Sequence, residues 1–216
     1  MQTNAASRTC LAEYHNGSAE APHTEAYLWR HVISLCAELN ARRIVDIGCG
    51  NGALCRELAR RGYEVVGCEP SAEGVRFAQS SAPELVFHQL GVDDEPSPVG
   101  NESFDVAIAT EVIEHLMRPR NLPSFAKQVL RPGGHLIIST PYHGYLKNFV
   151  LALTNKWDAH LNPFWDGGHI KFWSRKTLSQ LLNDAGFRIV RFIGAGRLPF
   201  LWKSMIMVAQ KPQAPN

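Results

Sequence analysis

Two carboxylates and an imidazole fall within five residues in EVIEHL, residues 111–116. Glu111, Glu114 and His115 stand at i, i+3 and i+4. On a helix that begins near Glu111, these positions share one face. Such a face can hold a divalent ion or present a base to a hydroxyl. Acids at a helix start are also favoured by its positive end, with no chemistry implied. Oxygen ligands suit Mg²⁺, whereas histidine does not. Metal site (Glu111, Glu114, His115), general base (His115) and helix start therefore all stay open.

A second candidate is DIGCGNG, residues 46–52, where an apolar run, RRIVDIG, meets an amphipathic stretch, ALCRELARRG. Glycine lets backbone approach a ligand closely, and a helix N-terminus offers free N–H groups. The spacing is G-x-G-x-G rather than the G-x-G-x-x-G of the dinucleotide fold. Glu69 ends the next apolar run, 21 residues after Gly48. A carboxylate there can accept hydrogen bonds from both hydroxyls of a ribose.

The elements that must position these groups alternate. A helix over the segment containing Tyr27, Leu28, His31, Leu35 and Leu39 precedes RRIVDIG as a first strand. ALCRELARRG is a helix closed by Gly62, YEVVGCEP a strand, and SAEGVRFAQS a helix capped by Ser71. ELVFHQL and SFDVAIAT read as strands, NLPSFAKQVL as a helix, RPGG as a turn and HLIISTP as a strand. A helix from Ser174 to Gly186 and two strands, FRIVRFIG and FLWKSMIMVAQ, close the chain as a hairpin with an antiparallel edge. This order predicts an α/β fold: a Rossmann-like, seven-stranded, mostly parallel sheet with helices on both faces. In such sheets ligands bind at the carboxyl ends of the strands. Residues 1–22 are polar and patternless and are read as a mobile arm; 23–216 are one domain. Residues 142–173 are too many for a plain crossover and are read as a lid or acceptor insertion.

Composition is ordinary for a globular chain, with 45% apolar and 19% charged residues. Residues 1–114 carry 8 Lys/Arg against 17 Asp/Glu, and residues 115–216 carry 14 against 3. The basic half contains no dense Lys/Arg cluster of the kind that tracks a phosphate backbone, so nucleic acid is not the expected partner. Five cysteines without a C-x-x-C pair argue against a disulfide framework or zinc site. There is no run long enough to span a membrane and no secretory signal pattern, so a cytoplasmic location is expected.

VDIGCGNG, GCEPS, FDVAIATEVIEHL, LRPGGHLIISTP and the closing helix with hairpin together resemble the class I S-adenosylmethionine-dependent methyltransferases. Within them the chain is most similar to the ubiquinone-biosynthesis O-methyltransferase group. The resemblance implies that Gly48 and Gly50 cradle the methionyl part of the cofactor, Asp46 orients it, Glu69 holds the ribose and Thr110 lines the site. It also implies an arginine at the cofactor carboxylate, for which Arg30 is the nearest candidate, and an acid beside the adenine, for which Asp93 is chosen over Asp94. In those enzymes E-x-x-E-H is associated with magnesium-type metals. The Asn/Asp-Pro-Pro-aromatic tetrapeptide of nucleic-acid amino-methyltransferases is replaced by TEVI. The expected reaction is methyl transfer to a small-molecule oxygen, a phenol or hydroxyl of an apolar or prenylated compound. Transfer to N or C of a metabolite, lipid or sugar, and a non-catalytic partner protein, are the alternatives.

Tyr142, His143, Trp165, His169 and Trp173 are candidates to line an acceptor pocket, aromatics as walls and histidine as proton acceptor. Leu146, Phe149, Val150 and Leu153 share one helical face. That face is expected to pack on the core as part of a lid; an interfacial helix, giving peripheral membrane contact through residues 145–156, is the alternative. Oligomeric state is not legible in the chain.

Overall fold

The computed structural model of the chain describes residues 24–161, 164 and 168–213. The expected N-terminal arm and Trp165 lie outside the described residues.

Strands β1 (Arg43–Ile47), β2 (Glu64–Cys68), β3 (Val86–His88), β4 (Phe104–Thr110), β5 (Leu130–Pro141), β6 (Arg188–Ala195) and β7 (Ser204–Gln210) form one sheet, ordered β3-β2-β1-β4-β5-β7-β6. The pairs from β3 to β5 are parallel, and β7 runs antiparallel to both β5 and β6. The seven strands and the closing hairpin agree with the expectation, but the antiparallel strand lies inside the sheet and β6 takes the edge. The side chains explain this. SMIMVAQ of β7 is buried almost throughout, whereas RIVRFIGA of β6 carries Arg188 and Arg191 and is largely open. An interior strand buried on both faces reads as a continuous apolar run.

Helices α1 (Glu25–Glu38), α2 (Ala53–Arg60), α3 (Ala72–Ser81), α4 (Asn121–Val129), α5 (Tyr145–Leu153), α6 (Trp157–His160) and α7 (Arg175–Asp184) complete the described elements. Successive strand residues supply opposite faces. Ile44, Val106, Ile137 and Ile206 pack toward α1, α2 and α3; Val45, Ala107, Ile138 and Met207 pack toward α4 and α7. The expected caps form: the Ser71 side chain accepts from Gly74 N–H at 3.2 Å, and Ser174 makes a capping box with Thr177. RPGG is not a separate turn. It is a bulge inside β5, where Phe104 pairs with Leu130 and Val106 with His135, and Gly133 takes φ 77°.

The ends of the insertion meet, since Tyr142 and Trp173 form a parallel bridge. Within it, α5 reverses the expected orientation. Tyr145, Leu146, Phe149, Val150 and Leu153 are exposed, and Lys147 is the one buried residue of the helix. The apolar face therefore does not pack on the core.

Candidate functional site

The glycine loop joins β1 to α2 at the carboxyl ends of the parallel strands. Gly48, Gly50 and Gly52 take φ of 75°, 56° and 73°, left-handed values that favour glycine. A Cβ on Gly48 would lie 2.6 Å from Val112, so the loop and the residue after Glu111 pack against each other. The N–H groups of Gly48 and Cys49 donate to the Cys68 carbonyl at 2.8 and 3.0 Å, tying the loop to the end of β2. Glu69 extends that tie. Its Oε2 accepts from Gly50 N–H at 3.0 Å and its Oε1 from Ser71 N–H at 2.9 Å. Each carboxylate oxygen keeps a lone pair for a ligand hydroxyl.

Asp46 is 1% exposed, and its Oδ1 has no hydrogen-bond partner among the described residues. The Cys55 thiol donates to Oδ2 at 3.4 Å. Burial pushes the Asp46 carboxyl up to about 7; the Cys55 hydrogen bond opposes this and the Glu69 charge adds to it. An orphaned buried oxygen beside a glycine cradle fits an amine-bearing or hydroxyl-bearing ligand. Cys36, Cys49, Cys55 and Cys68 are buried free thiols; burial raises the pKa of Cys36 and Cys68, and the contact with Cys49, then burial, raises that of Cys55.

Other expected cofactor residues are less well aimed. Thr110 is half-buried at the end of β4, paired with Ser139. Asp93 is exposed, and its Oδ1 accepts from Asn121 Nδ2 at 2.6 Å, which anchors the start of α4. Asp94 closes its own turn on Gly91 N–H at 2.9 Å. Arg30 is exposed on α1.

EVIEHL does not begin a helix at Glu111. Glu111 sits at φ 54°, a left-handed position costly for a residue with a side chain, and only a 3-10 turn follows, Ile113–His115. The helical spacing therefore fails, and the two acids part. Glu111 Oε1 accepts from Ser139 Oγ at 2.8 Å and Oε2 from Ser204 Oγ at 3.1 Å; Ser204 Oγ also lies 3.3 Å from Tyr27 Oη. Burial lifts Glu111 to about 7 against these two hydroxyls and the Lys147 charge. Glu114 is fully buried. Its Oε2 accepts from Thr140 Oγ1 at 3.0 Å, and its Oε1 has no hydrogen-bond partner among the described residues. Burial and the Glu111 charge raise its pKa strongly.

The grouping of Glu111 with Glu114 and His115 as metal ligands is corrected by this geometry. Among the described residues, the cluster with ligand atoms within 4.8 Å of one another is Glu114, His115 and His169. His169 reaches it because the Glu114 carbonyl accepts from the N–H groups of Ile170 and Lys171, both at 3.0 Å. His169 Nε2 lies 3.9 Å from Glu114 Oε1, and the two imidazoles meet edge-on at 5.0 Å. Burial, then the neighbouring His115, push His169 down to about 4, so the ring is neutral at neutral pH.

Around this centre the insertion supplies its other expected residues. His143 is buried between His160 and Phe172, and its N–H donates to the Trp173 carbonyl at 3.1 Å. Tyr142 stacks edge-on against Trp202, and Trp173 is buried, its Nε1 without a hydrogen-bond partner among the described residues. Sequence reasoning missed Tyr27, Ser139, Thr140, Ser204 and Lys147. The serines and threonine carried no motif, and only the parallel pairing of β4 with β5 and the antiparallel return of β7 bring them to the acids.

A doubly wound sheet with a glycine loop after β1, an acid after β2 and a polar cluster after β4 defines a class of nucleoside-cofactor enzymes. A family model described as "Methyltransferase domain" matches residues 22–191, and the chain belongs to that family. A ubiquinone biosynthesis O-methyltransferase of Azorhizobium caulinodans is 34% identical over 72% of this chain and 62% of its own length. The mitochondrial ubiquinone biosynthesis O-methyltransferase of Rattus norvegicus is 33% identical over 75% of this chain and 49% of its own length. The chain thus spans about half to two-thirds of these curated relatives. Among solved structures, the magnesium protoporphyrin IX methyltransferase of Synechocystis PCC 6803, with bound S-adenosylhomocysteine, superposes with a TM-score of 0.64. It is 22% identical and covers 85% of this chain and 81% of its own, a likeness of fold.

Proposed function

We propose that the chain is an S-adenosylmethionine-dependent methyltransferase that moves a methyl group to a hydroxyl or phenol oxygen of a small apolar acceptor. The observation that carries this reading is the convergence of the Gly48–Gly52 loop, Glu69 and the orphaned Asp46 oxygen with the EVIEHL acids, joined where Gly48 packs on Val112. The cofactor supplies a methyl already activated by its sulfonium. The chain's own residues then bind, orient and exclude water. Gly48 and Gly50 form the cradle for the methionyl part, Asp46 orients its ammonium, and Glu69 accepts from the ribose hydroxyls. Thr110 lines the floor, with Asp93 toward the adenine and Arg30 toward the carboxylate. The acceptor hydroxyl must lose a proton, and His115 is the base proposed for it. Residues 142–173 act as the lid over the acceptor, with Tyr142, His143, His169 and Trp173 along it.

A divalent ion is the second reading, and a specific observation favours it. Among the described residues buried Glu114 Oε1 has no hydrogen-bond partner, and a carboxylate oxygen of Glu114 lies within 4.8 Å of a ring nitrogen of both His115 and His169. One carboxylate and two imidazoles suit zinc or a similar ion better than Mg²⁺. Glu114, His115 and His169 would hold it, and it would supply Lewis acidity to an acceptor hydroxyl. Metal content after Zn²⁺ or Mg²⁺ addition and desalting tests this. Stoichiometric uptake that is lost in His169→Ala supports the ion; equal content in both proteins removes it.

Peripheral membrane contact through residues 145–156 is proposed on the outward apolar face of α5. Phe164, Leu198 and Phe200 are also exposed, as are the cations Lys156, Arg197 and Lys203. Among the described residues no helix is long and apolar enough to cross a membrane. The methyltransferase reading is tested by incubating the protein with methyl-labelled S-adenosylmethionine and a panel of catechols and phenols. Label in an ether product supports it, and label only in N- or C-methyl products redirects it.

A further inference from the structure

Asp46 sits in a layer with few polar neighbours. It belongs to β1, is paired with Gly67 of β2 and Ile108 of β4, and is 1% exposed. Among the described residues its carboxyl has one hydrogen-bond donor, the Cys55 thiol, 3.4 Å from Oδ2, while Oδ1 has none. The titratable groups around it are Cys55 on α2, Cys49 in the glycine loop, Cys68 and Glu69 at the end of β2, and Cys36 on α1. None of these is a cation that would balance an ionised Asp46.

α2 places Cys55 for this bond. The residue stands in the first turn of the helix, fully buried in the apolar cluster that contains Leu58 and Ala78. A thiol has one proton, and Cys55 has two acceptors in reach, Asp46 Oδ2 and the Cys49 sulfur. An ionised carboxylate is the stronger of the two, because its charge assists the bond. The contact with Cys49, then burial, hold the Cys55 pKa well above its ordinary value, so the thiol keeps its proton. Sulfur suits the position. A thiol behaves as a small apolar group when its proton is unused, whereas a hydroxyl in the same layer is costly to leave unpaired.

We propose that Cys55 is a positioning residue for the cofactor: its S–H occupies Asp46 Oδ2, fixes the plane of the carboxyl and leaves Oδ1 for the cofactor's ammonium. The inference rests on the methyltransferase reading and adds to it a residue that acts only through Asp46. A donor at Oδ2 stabilises the charged carboxylate, which is the form that pairs with an ammonium. Burial lifts Asp46 to about 7, and the Cys55 bond opposes that rise. Cofactor affinity should therefore fall as pH drops through this value. Without the thiol, the fall should begin at higher pH.

The test is calorimetric titration of S-adenosylhomocysteine into the full chain across about pH 5 to 9. Wild type should show an acid limb in affinity near 7, absent from Asp46→Asn. Cys55→Ala and Cys55→Val lack the donor. In each, affinity at neutral pH should be about three- to tenfold weaker, and the limb about half a pH unit or more higher. Cys55→Ser restores a donor and should recover most of the affinity, with the limb at or below its wild-type position. The S–H stretching band, isolated as the Raman difference between wild type and Cys55→Ser, should move to lower frequency as pH rises through the limb. That band reads the bond even where the thiol-free variants fail to fold. A limb that persists in Asp46→Asn, or an S–H band indifferent to pH, overturns the proposal. So does a thiol-free variant that loses melting temperature with the limb unmoved, because Cys55 is then core packing alone. Saturable wild-type binding with an unmoved limb leaves the methyltransferase reading standing. Absence of binding to wild type removes that reading and this inference together.

Discussion

At the residue scale, the site depends on a few positions whose neighbours leave little freedom. Gly48 combines φ 75° with a Cβ direction that runs into Val112 at 2.6 Å. Gly48→Ala is expected to cost about 1–3 kcal/mol and to weaken cofactor binding at least tenfold, read by denaturant melts and S-adenosylhomocysteine titration. Ser204→Ala leaves a half-buried Glu111 oxygen without its donor, at a cost of about 1–3 kcal/mol, or a melting temperature lower by several degrees. Asp46 gives a pH signature. Its folded carboxyl sits near 7, above the ordinary 3.8, because burial penalises the charge. The protonated group's contribution is complete below about pH 3.8 and is lost as pH rises through 7. Unliganded Asp46→Asn should therefore gain stability relative to wild type as pH goes from about 4 to 8. A flat difference across that window would contradict the burial account.

At the element scale, the glycine loop and Glu69 were legible because their signal is local: a turn after one strand and an acid at the end of the next. The helical spacing of E-x-x-E-H does not carry over to the structure. His115 and Glu114 do stand together, but their helix is a 3-10 turn, and left-handed Glu111 aims its carboxyl at two strands instead. His169 completes the cluster from 54 residues downstream, through backbone hydrogen bonds to Glu114 that no spacing rule displays. The orientation of α5 was illegible for a related reason. Helical periodicity reports which residues share a face, and not whether that face turns in or out. The outward face makes its own prediction. Leu146, Phe149 and Leu153 changed together to Ser should lower cosedimentation with anionic phospholipid vesicles several-fold. The melting temperature should change little, because these side chains are exposed. A large loss of stability would mean that the face packs on the chain.

At the scale of the whole molecule, the uneven charge along the sequence acquires a spatial meaning. The acidic half builds the glycine-loop end of the sheet, with Asp46, Glu69 and the EVIEHL acids at the strand exits. The basic half contributes α5, the start of α6 and the β6–β7 connection, with Lys147, Lys156, Arg197 and Lys203. The number of strands and their mostly parallel direction followed from the alternation of apolar runs and capped helices, apart from the placement of β7, where burial on both faces overrode the simpler hairpin edge. The fold alone supports many chemistries, so the cofactor decides the reading. The direct measurement is calorimetric titration of S-adenosylhomocysteine into the wild-type chain and Glu69→Ala, with NADH as control. The account predicts saturable one-to-one binding to wild type, weakened by about ten- to a hundredfold in Glu69→Ala, and no NADH binding. Absence of S-adenosylhomocysteine binding to wild type, or equal affinity in Glu69→Ala, would contradict it.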